Sequence, residues 1–200
     1  MIVTTPSGSD GTDRITTVRS LRVSGSSLPG WTVITPTLPE RAPFLGELAH
    51  DLAAQTVDWE WLIGYDWDRQ GPAAVRNHLA AQADATWLVF VDDDDRLRPD
   101  FLEILGGLDG EVRYTLCDVT GRDWEPSHDC THSNLQHENT VPVTAAVDAR
   151  WFWLAGGFPL DERNEDHALW QKLHSMGARF TCSHERAWTY RFHGNNRSLA

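Results

Sequence analysis

Residues 86–95 read TWLVFVDDDD, a run of apolar, strand-forming residues that ends in four adjacent aspartates. The run predicts a buried β-strand that carries carboxylates at its C-terminal end. Because adjacent carboxylates repel one another, we expect either a cation beside them or side chains that point into water. Alternate residues of an extended chain point the same way, so Asp92 and Asp94 are predicted to share a divalent metal such as Mg²⁺, Ca²⁺ or Mn²⁺. A solvated acidic turn before a helix is the alternative.

The chain before this run alternates between strand and helix patterns. Residues 31–35 (WTVIT) and 59–65 (WEWLIGY) are rich in β-branched and aromatic residues, and apolar residues at helical spacing lie between them. A second helix, opened by Gly71-Pro72, leads to the strand at residues 86–91. This alternation predicts an α/β fold with a mostly parallel, Rossmann-like central sheet flanked by helices, in which ligands bind beyond the C-terminal strand ends. The residues at those ends are Thr35, Asp66 and Asp92.

The second half of the chain contains shorter segments. We expect strands at residues 111–119, 141–147, 180–182 and 188–192, and short helices at residues 99–105 and 148–154. Asn164 is placed to cap a further helix. Glu165 and Asp166 fall in its first turn, where the helix dipole favours acidic side chains. The turn that contains Gly156 and Gly157 permits close approach of a ligand to the backbone.

The composition suits one compact α/β domain, since 40% of the 200 residues are hydrophobic and ten are tryptophan. We assign residues 31–200 to that domain and residues 1–30, rich in small polar residues, to an N-terminal extension or an added edge strand. Seventeen basic and 29 acidic residues leave a net charge of −12, which disfavours nucleic acid and anionic membranes as partners. A bound phosphate would therefore need local neutralisation by a metal, a helix N-terminus or arginines.

The sequence shows neither a membrane-spanning run nor a signal-peptide pattern, so we expect a cytoplasmic protein. Cys117, Cys130 and Cys182 have no paired spacing, which argues against a disulfide framework and for a reducing compartment. Residues 121–140 are polar and contain three histidines besides Cys130. Zinc binding is one interpretation of this segment, although the spacing fits no closed four-ligand pattern, and a polar loop over a cleft is the other.

Four segments carry a resemblance to a known family. They are Val33-Ile34-Thr35-Pro36, the stretch 71–77 that ends in Arg76-Asn77, FVDDDDRLRPD at 90–100, and GGFP at 156–159 followed by NEDHALWQKLHSMGARF at 164–180. Their order resembles that in the inverting, nucleotide-sugar-dependent glycosyltransferases of family 2, which have the GT-A fold. The third segment is similar to the family's D-x-D metal motif, and the fourth to its Gly-Gly-Phe and Glu-Asp motifs. The resemblance covers about residues 31–198 and implies a single GT-A domain.

The resemblance implies roles for the acids at the strand ends. Asp66 would bind the nucleotide base, Asp92 would face the ribose or the metal, and Asp94 would ligate a Mn²⁺ or Mg²⁺ that bridges the donor diphosphate. His193 is a candidate further metal ligand. Contacts to the donor are also assigned to Thr35, Pro36, Arg76, Asp93, Gly156 and Gly157, and phosphate contacts to Arg191 or Arg197.

The resemblance also implies the reaction. A metal-dependent, inverting enzyme would move one sugar from a nucleoside-diphosphate sugar to an unidentified hydroxyl acceptor. Asp166, which matches the family's second acid, would be the general base that deprotonates this hydroxyl. The chain lacks the Gln-Arg-Trp type motif of processive polysaccharide synthases, which indicates a single transfer. YDWD at residues 65–68 replaces the family's usual Asp-Gly-Ser, so the contact to the base falls to Asp66 or Asp68.

Two other functions remain open at this point. A sugar-1-phosphate nucleotidyltransferase has a similar fold but normally carries a glycine-rich, basic loop after the first strand, and residues 35–41 (TPTLPER) contain no glycine. A non-catalytic module that binds carbohydrate or a protein partner would suit the ten tryptophans, although tryptophans in predicted strands are more often core residues. The presence of both acidic motifs favours the enzyme.

Overall fold

The computed structural model describes residues 5–7, 15–24, 30–123, 127–132 and 134–193, and within them nine strands form a single sheet. The strands are β1 (Thr5–Ser7), β2 (Ile15–Arg22), β3 (Trp31–Thr37), β4 (Trp59–Asp66), β5 (Trp87–Phe90), β6 (Arg96–Leu97), β7 (Val112–Thr120), β8 (Ala146–Asp148) and β9 (Phe180–Arg191). The helices are α1 (Leu45–Ala53), α2 (Pro72–Ala80), α3 (Phe101–Gly106), α4 (Ala149–Leu154) and α5 (Glu165–Ser175), and a 3-10 turn spans Pro39–Phe44. The order across the sheet is β1-β2-β4-β3-β5-β8-β7-β9-β6.

The centre of the sheet consists of three parallel strands. β3 lies between β4 and β5 and runs parallel to both, with Val33 opposite Trp61 on one side and Val89 on the other. Parallel strands that lie side by side end at the same edge, so the residues that follow them meet there. These strands and their flanking helices confirm the predicted α/β fold with a mostly parallel central sheet.

Side chains of the central strands alternate between two hydrophobic clusters. Ile34 and Leu62 pack in one cluster with residues of α2 and α5, whereas Val33 and Ile63 pack in the other with residues of α1 and α3. Because successive strand residues point to opposite faces, helices must cover both faces to bury this run of apolar residues. Most of the described tryptophans are buried in these clusters, as the strand patterns indicated.

The first thirty residues contribute to one edge of the sheet. β2 lies antiparallel to β4 along its whole length, with Ile15 opposite Asp66 and Arg22 opposite Trp59, and β1 pairs with β2. The edge of β4 is thereby covered, and its backbone groups are paired. The division of the chain at residue 30 stays a prediction.

Two strand predictions in the second half are wrong in extent. The strand expected at residues 141–147 is limited to β8, because β5, against which it pairs, has only four residues. The two strands expected at 180–182 and 188–192 form one long strand, β9, parallel to β7. The pairing of β9 with β7 shifts register between Thr115 and Cys117. A β-bulge of this kind accommodates residues that break the alternation of side chains, so β9 remains in the sheet across its polar central residues.

The cysteine interpretation is also wrong. Cys130 and Cys182 form a disulfide with 5.0 Å between their Cα atoms, and Cys117, which is buried, is not part of it. The pairing joins positions 52 residues apart, which sequence spacing does not reveal. The zinc interpretation of residues 121–140 loses Cys130 as a ligand, and the described residues contain no group of three potential metal ligands. The cytoplasmic location stays a prediction that the cysteines no longer support.

A search of the described residues for membrane spans finds no helix with the length and apolar character to cross a bilayer.

Candidate active site

A cleft of about 870 Å³ opens at the C-terminal ends of β3, β4 and β5. Acidic and basic side chains both line it. The acids are Asp66, Asp92, Asp93, Asp94, Glu165 and Asp166, and the bases are Arg41, Arg69, Arg76 and Arg163. The cleft therefore gathers seven of the predicted site residues with partners that lie far from them in the chain, as expected for ligand sites beyond parallel strand ends.

The four aspartates leave β5 in a turn instead of continuing the strand. The backbone N–H of Asp95 donates to the carbonyl of Asp92 at 3.2 Å, which closes this turn. The alternation of an extended chain is lost, and Asp92 and Asp94 contact different side chains, Arg76 and Arg41 respectively. Each carboxylate has its own environment, which reduces the repulsion among them. That the two acids share one metal stays a prediction.

Arg41 neutralises two of these carboxylates. Its Nη2 lies 2.5 Å from Oδ1 of Asp93 and 2.6 Å from Oδ2 of Asp94, and its Nε lies 3.0 Å from both oxygens of Asp93. Thr37 donates to Asp93 at 2.5 Å. Burial raises the pKa of Asp93, although these hydrogen bonds act in the opposite direction. A planar guanidinium that spans two carboxylates is a strong, charge-assisted contact.

Arg76 connects the strand end to the first turn of α5. Its Nη2 lies 2.6 Å from Oδ1 of Asp92 and its Nη1 lies 2.9 Å from Oε1 of Glu165. Arg76 is only 3% exposed. Burial by itself lowers the pKa of Arg76, but the charges of Asp92 and Glu165 outweigh this effect and raise it overall. Arg76 was predicted as a donor contact, and the structure adds that it sets the distance between the two acidic motifs.

Asp95 is the most deeply buried of the four, with 2% of its surface exposed, and its Oδ1 has no hydrogen-bond partner among the described residues. Burial, followed by the charges of Asp92 and Asp94, raises the pKa of Asp95 well above its usual value. A raised pKa favours the neutral form of the carboxyl group, and that form adds no repulsion to the cluster. Two arginines and one carboxyl group with a raised pKa therefore explain how four adjacent aspartates are tolerated.

Asp94 and His193 form the pair that was predicted to bind a metal. Nε2 of His193 lies 2.7 Å from Oδ2 of Asp94, and the imidazole stacks on Phe44 with 5.3 Å between ring centroids. A carboxylate oxygen beside an imidazole nitrogen fits a first-row ion such as Mn²⁺ better than Mg²⁺, which prefers oxygen ligands throughout. Within the described residues no third such side chain completes a ligand group. Phosphate oxygens and water would have to supply the other positions.

Asp66 stabilises the backbone at the end of β4. Its carboxylate accepts from the N–H of Gln70 at 2.9 Å and from that of Gly71 at 2.8 Å, and the residue is 4% exposed. These bonds hold the loop that leads into α2. The contact between Asp66 and a nucleotide base stays a prediction. Asp68 does not line the cleft.

Asp166 projects from the first turn of α5 into the cleft. Its Oδ2 accepts from Nδ2 of Asn139 at 2.9 Å and its Oδ1 from the backbone N–H of His167 at 2.8 Å. Glu165, the preceding residue, is 6% exposed and engaged by Arg76. Adjacent helical residues point about 100° apart, so only one of the two acids faces the centre of the cleft.

The other residues that were predicted to contact the sugar donor differ in whether they line the cleft. Pro36 lines the cleft, whereas Thr35 is fully buried and accepts a hydrogen bond from Nε1 of Trp61 at 2.9 Å. Gly156 and Gly157 do not line the cleft as the structure describes it. Of the two predicted phosphate contacts, Arg191 pairs with Glu47 and lies over the ring of Phe44, and Arg197 lies outside the described residues.

Gly157 packs against Asn77, whose side chain bonds to both backbone groups of Phe158 at 2.8 and 2.9 Å. Gly157 has φ +73°, and a Cβ there would lie 2.7 Å from Oδ1 of Asn77. We expect Gly157→Ala to lower the free energy of unfolding by about 2–3 kcal/mol, because it adds this clash to the conformational cost.

Gly156→Ala is the matched control in urea unfolding experiments. Gly156 has φ +89°, but a Cβ added there would have no atom within 4 Å, so we expect only the conformational cost of about 1 kcal/mol. Equal losses in the two variants would show that the contact with Asn77 is unimportant.

The sequence analysis missed several residues of the site, among them Arg41 and Asn139. Arg41 is the only basic residue in the loop that follows β3, and that position was the available signal. Asn139 lies in a polar segment with no periodicity, and nothing in the sequence distinguishes it from its neighbours. Both contact acids that lie 27 or more residues away.

Residues 65–165, half of the chain, match the model of the family described as Glycosyl transferase family 2. The chain belongs to this family. The match includes the end of β4, the four aspartates and the first residue of α5, and so contains most of the cleft. Family membership argues against both the nucleotidyltransferase and the non-catalytic binding module. No curated protein sequence gives a significant match.

Solved structures share the fold of this family 2 chain. S. aureus TarS 1–349 in complex with UDP-GlcNAc matches with a TM-score of 0.68 and 18% identity over 85% of this chain and 61% of the other. The mannosyltransferase PcManGT from Pyrobaculum calidifontis, in complex with GDP-Man and Mn²⁺, matches with a TM-score of 0.62 and 17% identity over 87% and 60%. The GT-A fold is thereby confirmed. The chain spans about 60% of the length of these structures.

Proposed function

We propose that this protein transfers one sugar from a nucleoside-diphosphate sugar to a hydroxyl acceptor, with inversion and with the help of a divalent metal. The observation that carries the proposal is that one cleft contains Asp94 from the end of β5 and Asp166 from the start of α5. Inversion by direct displacement needs one group at the leaving diphosphate and one carboxylate at the incoming hydroxyl. A family 2 chain with both acids in one cleft meets that requirement.

Asp166 is the proposed general base. Its carboxylate removes the proton from the acceptor hydroxyl as the oxygen attacks the anomeric carbon, and no covalent intermediate with the enzyme is formed. The hydrogen bond from Asn139 and the bond from the N–H of His167 hold the carboxylate in one orientation. Glu165 does not serve this role, because its carboxylate is buried against Arg76.

Asp94 and His193 are the proposed protein ligands of the metal, and Mn²⁺ is the ion that suits this pair. When bound, the metal supplies Lewis-acid stabilisation of the charge that develops on the departing nucleoside diphosphate. Arg41 holds Asp94 from the other side and brings a second positive charge to the phosphate end of the cleft. Arg76 holds Asp92, which is the acid proposed to face the ribose.

The proposed donor is a nucleoside-diphosphate sugar, and UDP-GlcNAc and GDP-Man, bound by the two structural neighbours, are the first candidates to test. Each is incubated with the protein and Mn²⁺, and release of the nucleoside diphosphate is measured with water or a panel of sugars as acceptor. Release from one donor, and inversion in the product detected by NMR, are expected. Retention of configuration would contradict direct displacement.

Asp94→Ala is expected to weaken binding of the nucleoside diphosphate at least about tenfold, since a diphosphate beside several carboxylates requires a counter-ion. Calorimetry with UDP or GDP in the presence of Mn²⁺ measures this change. Asp100→Ala is the control, because Asp100 pairs with Arg98 on the surface away from the cleft. Equally tight binding to the unaltered protein in excess chelator would contradict the role of the metal.

A further inference from the structure

A segment of residues 127–140 is attached to α5 through several contacts. The carbonyl of Leu135 accepts from Nε2 of His167 at 2.6 Å and from Nε2 of Gln171 at 3.3 Å, and the carbonyl of Gln136 accepts from Gln171 at 2.9 Å. Leu135 is 1% exposed and belongs to the same hydrophobic cluster as α5. The described part of this segment thus packs against the helix that carries Asp166.

The same segment is fixed to the sheet on its other side. Cys130 is joined to Cys182 at the start of β9, and the hydroxyl of Tyr114 in β7 donates to the carbonyl of Asp129 at 2.7 Å. The N–H of Asp129 also donates to the carbonyl of Thr140 at 3.1 Å, which brings the two ends of the segment together. A loop with this many anchors can hold a side chain in one place.

Asn139 is the side chain that this segment presents to the cleft. Its Nδ2 donates to Oδ2 of Asp166 at 2.9 Å, while its Oδ1 is buried without a partner among the described residues. The carboxylate of Asp166 needs a hydrogen-bond donor, and this need determines that the Nδ2 end of the Asn139 amide faces it. An unsatisfied buried oxygen is unfavourable and needs an explanation. A side chain that only filled space would not need to be an asparagine with a buried, unpartnered Oδ1.

We propose that Asn139 is a positioning residue that aims the carboxylate of Asp166 at the acceptor hydroxyl, and that residues 127–132 and 134–140 form the acceptor side of the cleft. This inference rests on the proposed function. The donor amide holds one oxygen of Asp166, so the carboxylate cannot rotate freely, and the acceptor hydroxyl approaches between the segment and α5. The ligand class is a hydroxyl-bearing acceptor, and binding of the nucleotide does not involve Asn139.

The test compares kcat for sugar transfer in Asn139→Ala and Asn139→Asp at saturating donor. Asp has the shape of Asn but cannot donate to Asp166, so a role of the hydrogen bond predicts loss in both variants, by about 10- to 100-fold. The Kd of the nucleoside diphosphate and the KM of the donor are expected to stay within about twofold of their original values, as for an interaction that acts in the transition state.

Gln171→Ala is the matched control, because it removes other bonds between the same segment and the same helix without touching Asp166. We expect it to lower the thermal midpoint and to leave kcat within about twofold, which corresponds to less than one weak hydrogen bond. An equal loss of kcat in Gln171→Ala and Asn139→Ala would overturn the proposal, because it would show that any loosening of the segment against α5 lowers kcat.

Failure of the inference is distinguishable from failure of the proposed function. Normal kcat in both Asn139 variants, together with an inactive Asp166→Asn variant, would overturn the positioning role and leave Asp166 as the base. An active Asp166→Asn variant would overturn the base assignment itself, and the role of Asn139 with it.

Discussion

Asp166→Asn is expected to lower turnover by about 10²-fold or more while affinity for the nucleoside diphosphate stays close to that of the unaltered protein. Asparagine keeps the shape of the side chain and its place in the first turn of α5, but it cannot remove a proton from the acceptor hydroxyl. The interaction that is lost exists only in the transition state, so kcat falls and binding does not. Steady-state transfer assays and calorimetry measure the two quantities.

Glu165→Gln is the internal control for this prediction. Glu165 lies beside Asp166 in the chain but is buried against Arg76, so its loss should appear in the free energy of unfolding more than in turnover. If Glu165→Gln is inactive although folded, and Asp166→Asn remains active, the base has been assigned to the wrong residue.

Arg76→Met is expected to lower the free energy of unfolding by about 3–5 kcal/mol, the range for removal of one partner from a buried ion pair. Glu165 would remain in a site that is 6% exposed, without its 2.9 Å contact to Nη1 of Arg76. Asp92 would lose its 2.6 Å contact as well, so the two acidic motifs would no longer be held at a set distance. Urea unfolding and nucleotide calorimetry report the two effects.

Two further variants sharpen this prediction. Arg98 also contacts two acids, Asp100 and Glu185, but this group is exposed, so Arg98→Met should cost no more than about 1 kcal/mol. The double variant Arg76→Met, Glu165→Met removes both partners of the buried ion pair. It should recover much of the lost free energy of unfolding, since apolar side chains often replace a buried ion pair without loss of stability. Donor binding should stay impaired in the double variant. A similar cost for Arg76→Met and Arg98→Met would contradict the importance of burial.

The strands and the acids at their ends could be predicted from local sequence patterns. β3, β4 and β5 are short runs of β-branched, aromatic and aliphatic residues, and such runs need cover on both faces. Alternation with helices makes these strands parallel, and parallel strands end at one edge, which brings Asp66 and Asp92 to the cleft. The family motifs added Asp94 and Asp166, and both line the same cleft.

The extents of β8 and β9 could not be predicted in the same way. β8 is short because its partner β5 is short, and β9 is continuous because register shifts beside β7 accommodate residues that do not alternate. In both cases the neighbouring strand decides where pairing begins and ends, and that neighbour is distant in the chain. Local apolar patterns contain no information about that neighbouring strand.

The sequence by itself determined the three central strands, the helices between them and the acids that stand at the strand ends, because these features depend on residues within one segment. Only the tertiary structure decided the partners of those acids. Arg41 binds Asp93 from 52 residues away, Asn139 binds Asp166 from 27 away, and Cys130 pairs with Cys182 from 52 away. Such contacts form because packing of the sheet and its helices brings distant side chains to one edge, where unlike charges and hydrogen-bonding groups select one another by distance and orientation.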